Sequence, residues 1–159
     1  MKDKIIECYT DGGSRRNGQA NNVCGWGVYL KYGNYEKKIS GGTIHSTNNI
    51  MELTAILEGM KAIKNKNIKT IVYSDSQYSI NCLIKWFDGW KRNNWRTADK
   101  KPVKNRDLII ALDEERNKFR DIYFQKVKGH NGVEGNEIVD DLCNMEMDKL
   151  EKEILLNSY

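Results

Sequence analysis

The sequence predicts an α/β protein in which helices pack on both faces of a five-stranded mixed sheet. Three consecutive strand patterns near the N-terminus are joined by short connections, as expected of antiparallel neighbours. Two later strand patterns alternate with helical patterns, as in units whose strands run parallel. No linker or internal repeat divides the 159 residues, so we expect a single domain, residues 1–159.

Glycine pairs predict where the early strands end. The stretch KIIECYTDGG is expected to end as a strand at Asp11, before Gly12-Gly13. The stretch VCGWGVYLKYGNYEKKISGG reads as a β-hairpin that turns near Gly33-Asn34 and ends at Gly41-Gly42. These boundaries place an acidic side chain at the end of the first strand.

The stretch TNNIMELTAIL opens the first helix, with Thr47 to Asn49 able to cap it. Its apolar residues recur at helical spacing: Ile50, Leu53, Ile56, Leu57, Met60 and Ile63. Glu52 interrupts this series, where a helix built only for packing would rarely hold a carboxylate.

The second half of the chain alternates strand and helix patterns. IKTIVYSD is a nearly continuous apolar strand that ends at Asp75, and RDIYFQKVKG is the last strand. Helical patterns cover residues 76–92 and 103–117. The final helix, NEIVDDLCNMEMDKLEKEIL, carries Asp140 in its first turns.

Composition excludes several classes of protein. A hydrophobic fraction of 39% with a single proline indicates an ordered globular chain. No apolar run approaches the length of a membrane span, and the start lacks the apolar stretch of a secretory signal. The four cysteines are scattered, without a metal-binding pattern, which favours reduced thiols. We therefore expect a cytoplasmic protein with no membrane partner.

Positive charge is concentrated in one segment. Between Lys91 and Arg106 there are seven basic residues and one acid, although the whole chain carries a net charge of only +4. Such a patch favours a polyanionic partner such as a nucleic acid, and a solvated surface is the simpler alternative.

Four carboxylates are candidates for a shared site. Ligands of open α/β sheets bind beyond the carboxyl ends of parallel strands, where Asp11 and Asp75 are expected. Glu52 and Asp140, near the starts of their helices, could complete the cluster. Taken singly, Asp11 could be a turn residue, Asp75 a helix cap and Asp140 one of many surface acids. Their joint placement favours a site.

Clustered carboxylates constrain the chemistry. Two like charges about 4 Å apart repel by roughly 4 kcal/mol at an effective dielectric near 20, so bound cations or pKa shifts are required. Oxygen ligands without a histidine and cysteine set favour Mg²⁺ or Mn²⁺. Two such ions are the usual device for in-line attack on a phosphodiester.

Five motifs carry a family resemblance. YTDGG, TNNIMEL, YSDSQY, WKRNNWRTADKKPVKNRDL and VKGHNGVEGNEIVDDL resemble, in order and spacing, bacterial type I ribonuclease H from Ile5 to about Leu150. The resemblance implies a ribonuclease H-like fold and a monomeric endoribonuclease. Such an enzyme uses two Mg²⁺ ions, with Mn²⁺ as a substitute, to cut the RNA strand of RNA–DNA hybrids, leaving 5′-phosphate and 3′-hydroxyl ends. Its metal-binding acids correspond to Asp11, Glu52, Asp75 and Asp140.

Further roles follow from the same resemblance. His130 is expected to assist proton transfer or product release. His45 stands where many relatives carry a basic residue near the bound phosphate, so a phosphate contact is expected there. Residues about 86–106 correspond to a protruding basic handle, in which at least two of Trp86, Trp90 and Trp95 are expected to pack. The implied substrate contacts are Asn17, Thr47, Asn48, Asn49, Gln77, Trp86, Lys91, Arg92, Trp95, Arg96, Lys100 and Asn105.

Three positions depart from the family pattern. Arg15 and Arg16 are expected to add positive charge beside the cleft, and Ile50 replaces a position that is often basic. Other functions remain open at this point: an exonuclease, resolvase or integrase of the same fold, a non-catalytic hybrid-binding module, or a domain of a reverse transcriptase.

Overall fold

In the computed structural model, the described residues, 4–127 and 134–158, form five strands and five α-helices. The strands are β1 (Ile6–Arg15), β2 (Val23–Tyr32), β3 (Tyr35–Ile44), β4 (Thr70–Ser74) and β5 (Ile122–Lys126). The helices are α1 (Asn48–Ala62), α2 (Gln77–Asn81), α3 (Phe87–Arg92), α4 (Arg106–Arg116) and α5 (Glu134–Leu156). A π-helical turn, Cys82–Trp86, joins α2 to α3.

The strands form one mixed sheet in the order β3-β2-β1-β4-β5. The first three strands pair antiparallel, and β4 pairs parallel with both β1 and β5. Tyr32 pairs with Tyr35 at the hairpin turn, where Gly33 adopts a φ of 61° that residues other than glycine rarely adopt. The predicted mixed sheet and its hairpin are confirmed.

Helices cover both faces of the sheet, as predicted. A side chain at Gly59 of α1 would meet Cys8 and Val28, whereas one at Gly27 would meet Leu142 of α5. Because successive side chains of a strand point to opposite faces, Val28 and Gly27 mark two different faces of β2. The main core lies between the sheet, α1 and α4; its fully buried members include Leu53, Ile56, Met60, Val72, Ile109 and Leu112.

The first strand does not end at Asp11, contrary to the prediction. It continues through Gly12 and Gly13, which pair with Trp26 and Gly25 of β2, and ends at Arg15. Gly12 serves close packing here, because a Cβ at this position would overlap the backbone of α1 at Met51. Likewise, β3 runs past its glycine pair to Ile44. Both glycine pairs were mistaken for strand ends.

Helix boundaries differ from the predictions by a few residues. The helix expected over 103–117 begins at Arg106, and α5 begins at Glu134, before the expected Asn136. The helical pattern over 76–92 is confirmed, with the π-helical turn in its middle. None of the described helices is both long and apolar enough to cross a membrane.

Candidate metal centre and nucleic-acid interface

The register of the two central parallel strands aligns Asp11 with Asp75. The last parallel pair is Tyr9 with Tyr73, and each aspartate follows two residues later along its own chain. Thr10 ties the strands together at this point, since its hydroxyl donates to the carbonyl of Tyr73 at 2.8 Å. Both carboxylates therefore lie at one edge of the sheet, as the sequence predicted.

Helix α1 brings Glu52 to the same edge. Thr47 caps the helix by accepting a hydrogen bond from the Ile50 amide at 3.2 Å, and Glu52 follows one turn later. Because Gly12 has no side chain, the α1 backbone can lie directly against β1. Glu52 is 8% exposed and Asp11 is 7% exposed. One carboxylate oxygen from each of Asp11, Glu52 and Asp75 lies within 4.8 Å of the other two.

The fourth predicted acid comes from α5, which crosses the sheet over its glycines. A side chain at Gly25 would meet Cys143, one turn beyond Asp140. The half-buried Asp140 carboxylate is close enough for its charge to raise the pKa of Asp11. The structure thus gathers three of the predicted acids and places the fourth beside Asp11.

Burial and mutual repulsion raise the pKa values of the two buried acids. The pKa of Asp11 rises to about 7, first through burial and then through the charges of Asp75 and Asp140. The pKa of Glu52 rises to about 10, first through burial and then through the charges of Asp11 and Asp75. Without a counter-charge, these surroundings disfavour the ionised forms of both acids.

The donor set fits a hard divalent cation. Glu52 Oε2 is buried and has no hydrogen-bond partner within residues 4–127 and 134–158. The carboxylates supply only oxygen ligands, which Mg²⁺ and Mn²⁺ prefer. A cation between Asp11, Glu52 and Asp75 would satisfy the unpartnered oxygen and reverse the pKa shifts.

Several predicted contact residues lie on the elements that follow or carry the acids: α1, α2 and the loop after β1. Asn17 is exposed in that loop and accepts a hydrogen bond from the Ser14 hydroxyl. Asn48 and Asn49 are the first residues of α1. Gln77 is the exposed first residue of α2 and donates to Asn81 at 2.8 Å. Predicted His130 lies outside the described residues.

Two residues predicted to contact phosphate have a left-handed backbone conformation. Asn105 adopts a φ of 61° immediately before α4, and its amide donates to the Tyr78 hydroxyl at 3.3 Å. His45 adopts a φ of 56° two residues before the Thr47 cap. Non-glycine residues at positive φ are uncommon and are held by their surroundings.

The tryptophans of the handle serve mainly in packing, as expected for at least two of them. Trp90 and Trp95 are partly buried against the main core, and Trp95 meets the edge of Phe87 at a centroid distance of 6.0 Å. Trp86 is 39% exposed, and its ring lies 5.5 Å from that of Trp90. Trp86 is therefore the more accessible of the two tryptophans predicted to contact substrate.

The predicted cations of the handle are not equivalent. Lys91 forms an ion pair at 3.3 Å with the buried Asp113, which Arg116 also binds at 2.8 Å. Arg92, Arg96 and Lys100 are exposed, the last with a φ of 62°. The ion pair of Lys91 therefore helps to hold α3 against α4, whereas the other three cations are accessible to solvent.

The positive charges of Arg15 and Arg16, expected beside the cleft, are paired with acids. Arg15 pairs with Asp148 at 2.8 Å, and Arg16 pairs with Glu151 at 2.6 Å, so both bind acids of α5. These pairs span more than 130 residues of sequence, which no local pattern reveals. Sequence analysis also missed two buried polar residues: Asn22, and Asp113 beneath the handle. The residues next to them in sequence form no pattern that predicts a buried polar side chain.

A mixed sheet with carboxylates gathered at one edge fits the class of hydrolases that work with divalent cations. The family model described as RNase H matches residues 3–148. A ribonuclease H of Hydrogenovibrio crunogenus is 48% identical over 145 residues, covering 91% of this chain and 97% of the relative. A ribonuclease HI of Neisseria meningitidis serogroup B is 44% identical over 142 residues, covering 89% and 94%. The chain belongs to the RNase H family.

Solved structures share this fold at low sequence identity. LC9-RNase H1, a type 1 RNase H with the type 2 active-site motif, superimposes with a TM-score of 0.81 at 21% identity, covering 94% of this chain and 75% of that chain. A foamy viral protease-reverse transcriptase in complex with an RNA/DNA hybrid superimposes with a TM-score of 0.76 at 18% identity, covering 91% and 20%.

Proposed function

We propose that this chain cleaves the RNA strand of RNA–DNA hybrids internally, leaving 5′-phosphate and 3′-hydroxyl ends. One observation carries the proposal: Asp11, Glu52 and Asp75 converge within 4.8 Å at the edge of the sheet. The family match over residues 3–148 supports the same activity.

We further propose that Asp11, Glu52, Asp75 and Asp140 hold two Mg²⁺ ions, for which Mn²⁺ can substitute. When bound, such ions supply an activated water and stabilise the leaving oxygen. Ionised carboxylates at this centre would repel the phosphates of the hybrid. We therefore expect the centre to bind the hybrid poorly until that charge is neutralised. His130 is proposed to move a proton near the leaving group, because its ordinary pKa lies near neutrality.

Recognition of the hybrid is proposed to use three sets of contacts. Amide side chains can both donate to and accept from a ribose 2′-hydroxyl, which suits Asn17, Asn48, Asn49 and Gln77 to the RNA strand. Thr47 and Asn105 are proposed to hold a phosphate of the DNA strand. Further phosphates are then attracted, without reading of sequence, by four cations of the handle: Lys91, Arg92, Arg96 and Lys100. Trp86 and Trp95 are proposed to contact deoxyriboses.

We also propose that the enzyme acts as a cytoplasmic monomer. In the described part of the chain, all four cysteines are buried free thiols, as is usual in a reducing compartment. The three converging carboxylates come from a single chain, so the centre needs no partner subunit.

Cleavage of an end-labelled hybrid tests the proposal. Matching RNA and DNA duplexes are incubated in parallel with the enzyme, with and without Mg²⁺. We expect internal cuts only in the RNA strand of the hybrid and only with Mg²⁺. Intact hybrid RNA at high enzyme excess, or equal cutting of all duplexes, would refute it.

A further inference from the structure

Asn22 is a buried amide whose hydrogen-bonding groups are engaged at both ends. It is 2% exposed and stands just before β2. Its Nδ2 donates to the Ser14 hydroxyl and to the Arg15 carbonyl, each at 2.8 Å. Its Oδ1 accepts from the Ser46 amide, also at 2.8 Å. An amide fits this place because it can donate on one side and accept on the other.

These bonds join two segments that carry proposed substrate contacts. On one side, Ser14 also donates to Asn17, in the loop between β1 and β2. On the other side, Ser46 immediately precedes Thr47, the cap of α1. A depression of about 330 Å³ lies between the two segments; Gly18, Gln19, Asn22, His45, Ser46, Thr47 and Ile50 line it.

The loop between β1 and β2 keeps its own shape by other means. The Gln19 amide donates to the Arg16 carbonyl, and the Asn22 amide donates to the Gln19 carbonyl, each at 3.1 Å. Loss of the Asn22 side chain would leave these turns intact. It would instead remove the hydrogen bond that joins the loop to Ser46, in the segment before α1. We expect this loss to loosen the placement of Asn17 relative to Asn48.

We propose that Asn22 is a positioning residue for hybrid binding, which holds Asn17 and the start of α1 in fixed register. The inference rests on the proposed function, because it takes both segments as contacts to the hybrid. Asn22 does not itself touch the reacting groups. Its loss is therefore expected to weaken binding much more than the chemical step.

The matched comparison is Asn22→Ala against Thr70→Val. Thr70 is also buried, its hydroxyl donates to the Ile68 carbonyl at 3.0 Å, and it begins β4, at the opposite end of that strand from Asp75. Both variants are assayed on hybrid well below their melting temperatures. A hydrogen bond contributes about 0.5–1.5 kcal/mol, so we expect Asn22→Ala to raise KM about three- to tenfold. Its kcat should stay within about twofold, with KM unchanged in Thr70→Val.

Hydrogen exchange supplies a readout independent of activity. The Ser46 amide should exchange faster in Asn22→Ala than in the wild type or Thr70→Val, because its acceptor is gone. Unchanged Ser46 exchange, or a KM in Asn22→Ala equal to that of Thr70→Val, would overturn the inference. Asn17→Ala and Asn48→Ala distinguish the deeper failure: if neither raises KM, the proposed contacts are wrong, and the role of Asn22 fails with them.

Discussion

At the scale of single residues, the centre is notable for acids placed where they are unfavourable. Asp11 and Glu52 are almost fully buried beside other carboxylates, and this raises the pKa of each. Groups with such shifts in a cleft are more often functional than structural. The unfavourable placement is explained if a cation occupies the site during function.

The raised pKa values predict how the metal-free protein responds to pH. In the folded state the pKa rises from 3.8 to about 7 for Asp11 and from 4.5 to about 10 for Glu52. The folded protein therefore binds protons that the unfolded chain has already released. The stability contributed by these groups is present below about pH 4 and is lost as the pH rises towards 7 and then 10.

Urea unfolding in chelator across this pH range measures the effect. The free energy of unfolding should fall less steeply with rising pH in Glu52→Gln than in the wild type, because an amide does not titrate. Glu58→Gln, on the same helix, serves as the control and should keep the slope of the wild type. Identical slopes in all three proteins would contradict the electrostatic account.

At the scale of elements, the contact between β1 and α1 determines where Glu52 lies. Gly12→Ala would place a methyl group on the α1 backbone at Met51 and Glu52, which cannot yield as a flexible side chain can. We expect a loss of about 3 kcal/mol or more in the free energy of unfolding, with weakened metal binding. Chemical denaturation and metal titration measure the two effects.

A matched glycine in the handle provides the control. Gly89 lies within α3, and a Cβ there would meet nothing within 4 Å among the described residues. Gly89→Ala should leave metal binding unchanged and stabilise the protein by about 0.5–1 kcal/mol through helix propensity. Equal effects of the two substitutions would show that close packing at Gly12 is unimportant.

One arginine joins the π-helical turn at the base of the handle to α4. Arg116 donates to the Leu83 carbonyl at 2.7 Å, pairs with Asp113 and covers the ring of Phe87. Among the described residues, Arg116→Ala would leave the buried Asp113 carboxylate paired only with Lys91, at 3.3 Å. Breaking a buried ion pair on one side costs about 3 kcal/mol, which urea unfolding would detect. The exposed Arg120→Ala is the control, and an equally small loss in both variants would contradict this role.

Sequence patterns predicted the elements and most of the candidate site for identifiable reasons. Parallel pairing of β1 with β4 sufficed to place Asp11 beside Asp75, although β1 does not end at Asp11 as predicted. The strand through Gly12 was missed because a glycine pair usually ends a strand, and only the approach of α1 explains it. The partners of Arg15 and the bonds of Asn22 depend on contacts between distant segments, which local patterns do not contain.

At the scale of the whole molecule, binding is expected to depend on salt through the exposed cations of the handle. Lys91 is omitted from the test because its loss would leave Asp113 with one partner fewer. Replacing Arg92, Arg96 and Lys100 together with glutamine should raise KM and reduce the slope of log KM against log salt by about 2–3 units. Steady-state cleavage of hybrid at several salt concentrations measures both quantities.

An equal change of net charge elsewhere is the control for that experiment. Lys37, Lys61 and Lys64 are exposed on β3 and around the end of α1, away from Glu52 near its start. Their joint replacement with glutamine should leave the salt slope close to that of the wild type. A similar slope change in both triple variants would mean that net charge, rather than the handle, governs binding.

Titration of divalent ions tests the central claim most directly, since the account requires the converging carboxylates to hold them. Calorimetry with Mn²⁺ at neutral pH should show saturable binding to the wild type and to Glu58→Gln. Asp11→Asn should keep its fold by circular dichroism but lose most of this binding, together with hybrid cleavage. Undiminished Mn²⁺ binding and cleavage in Asp11→Asn would contradict the account.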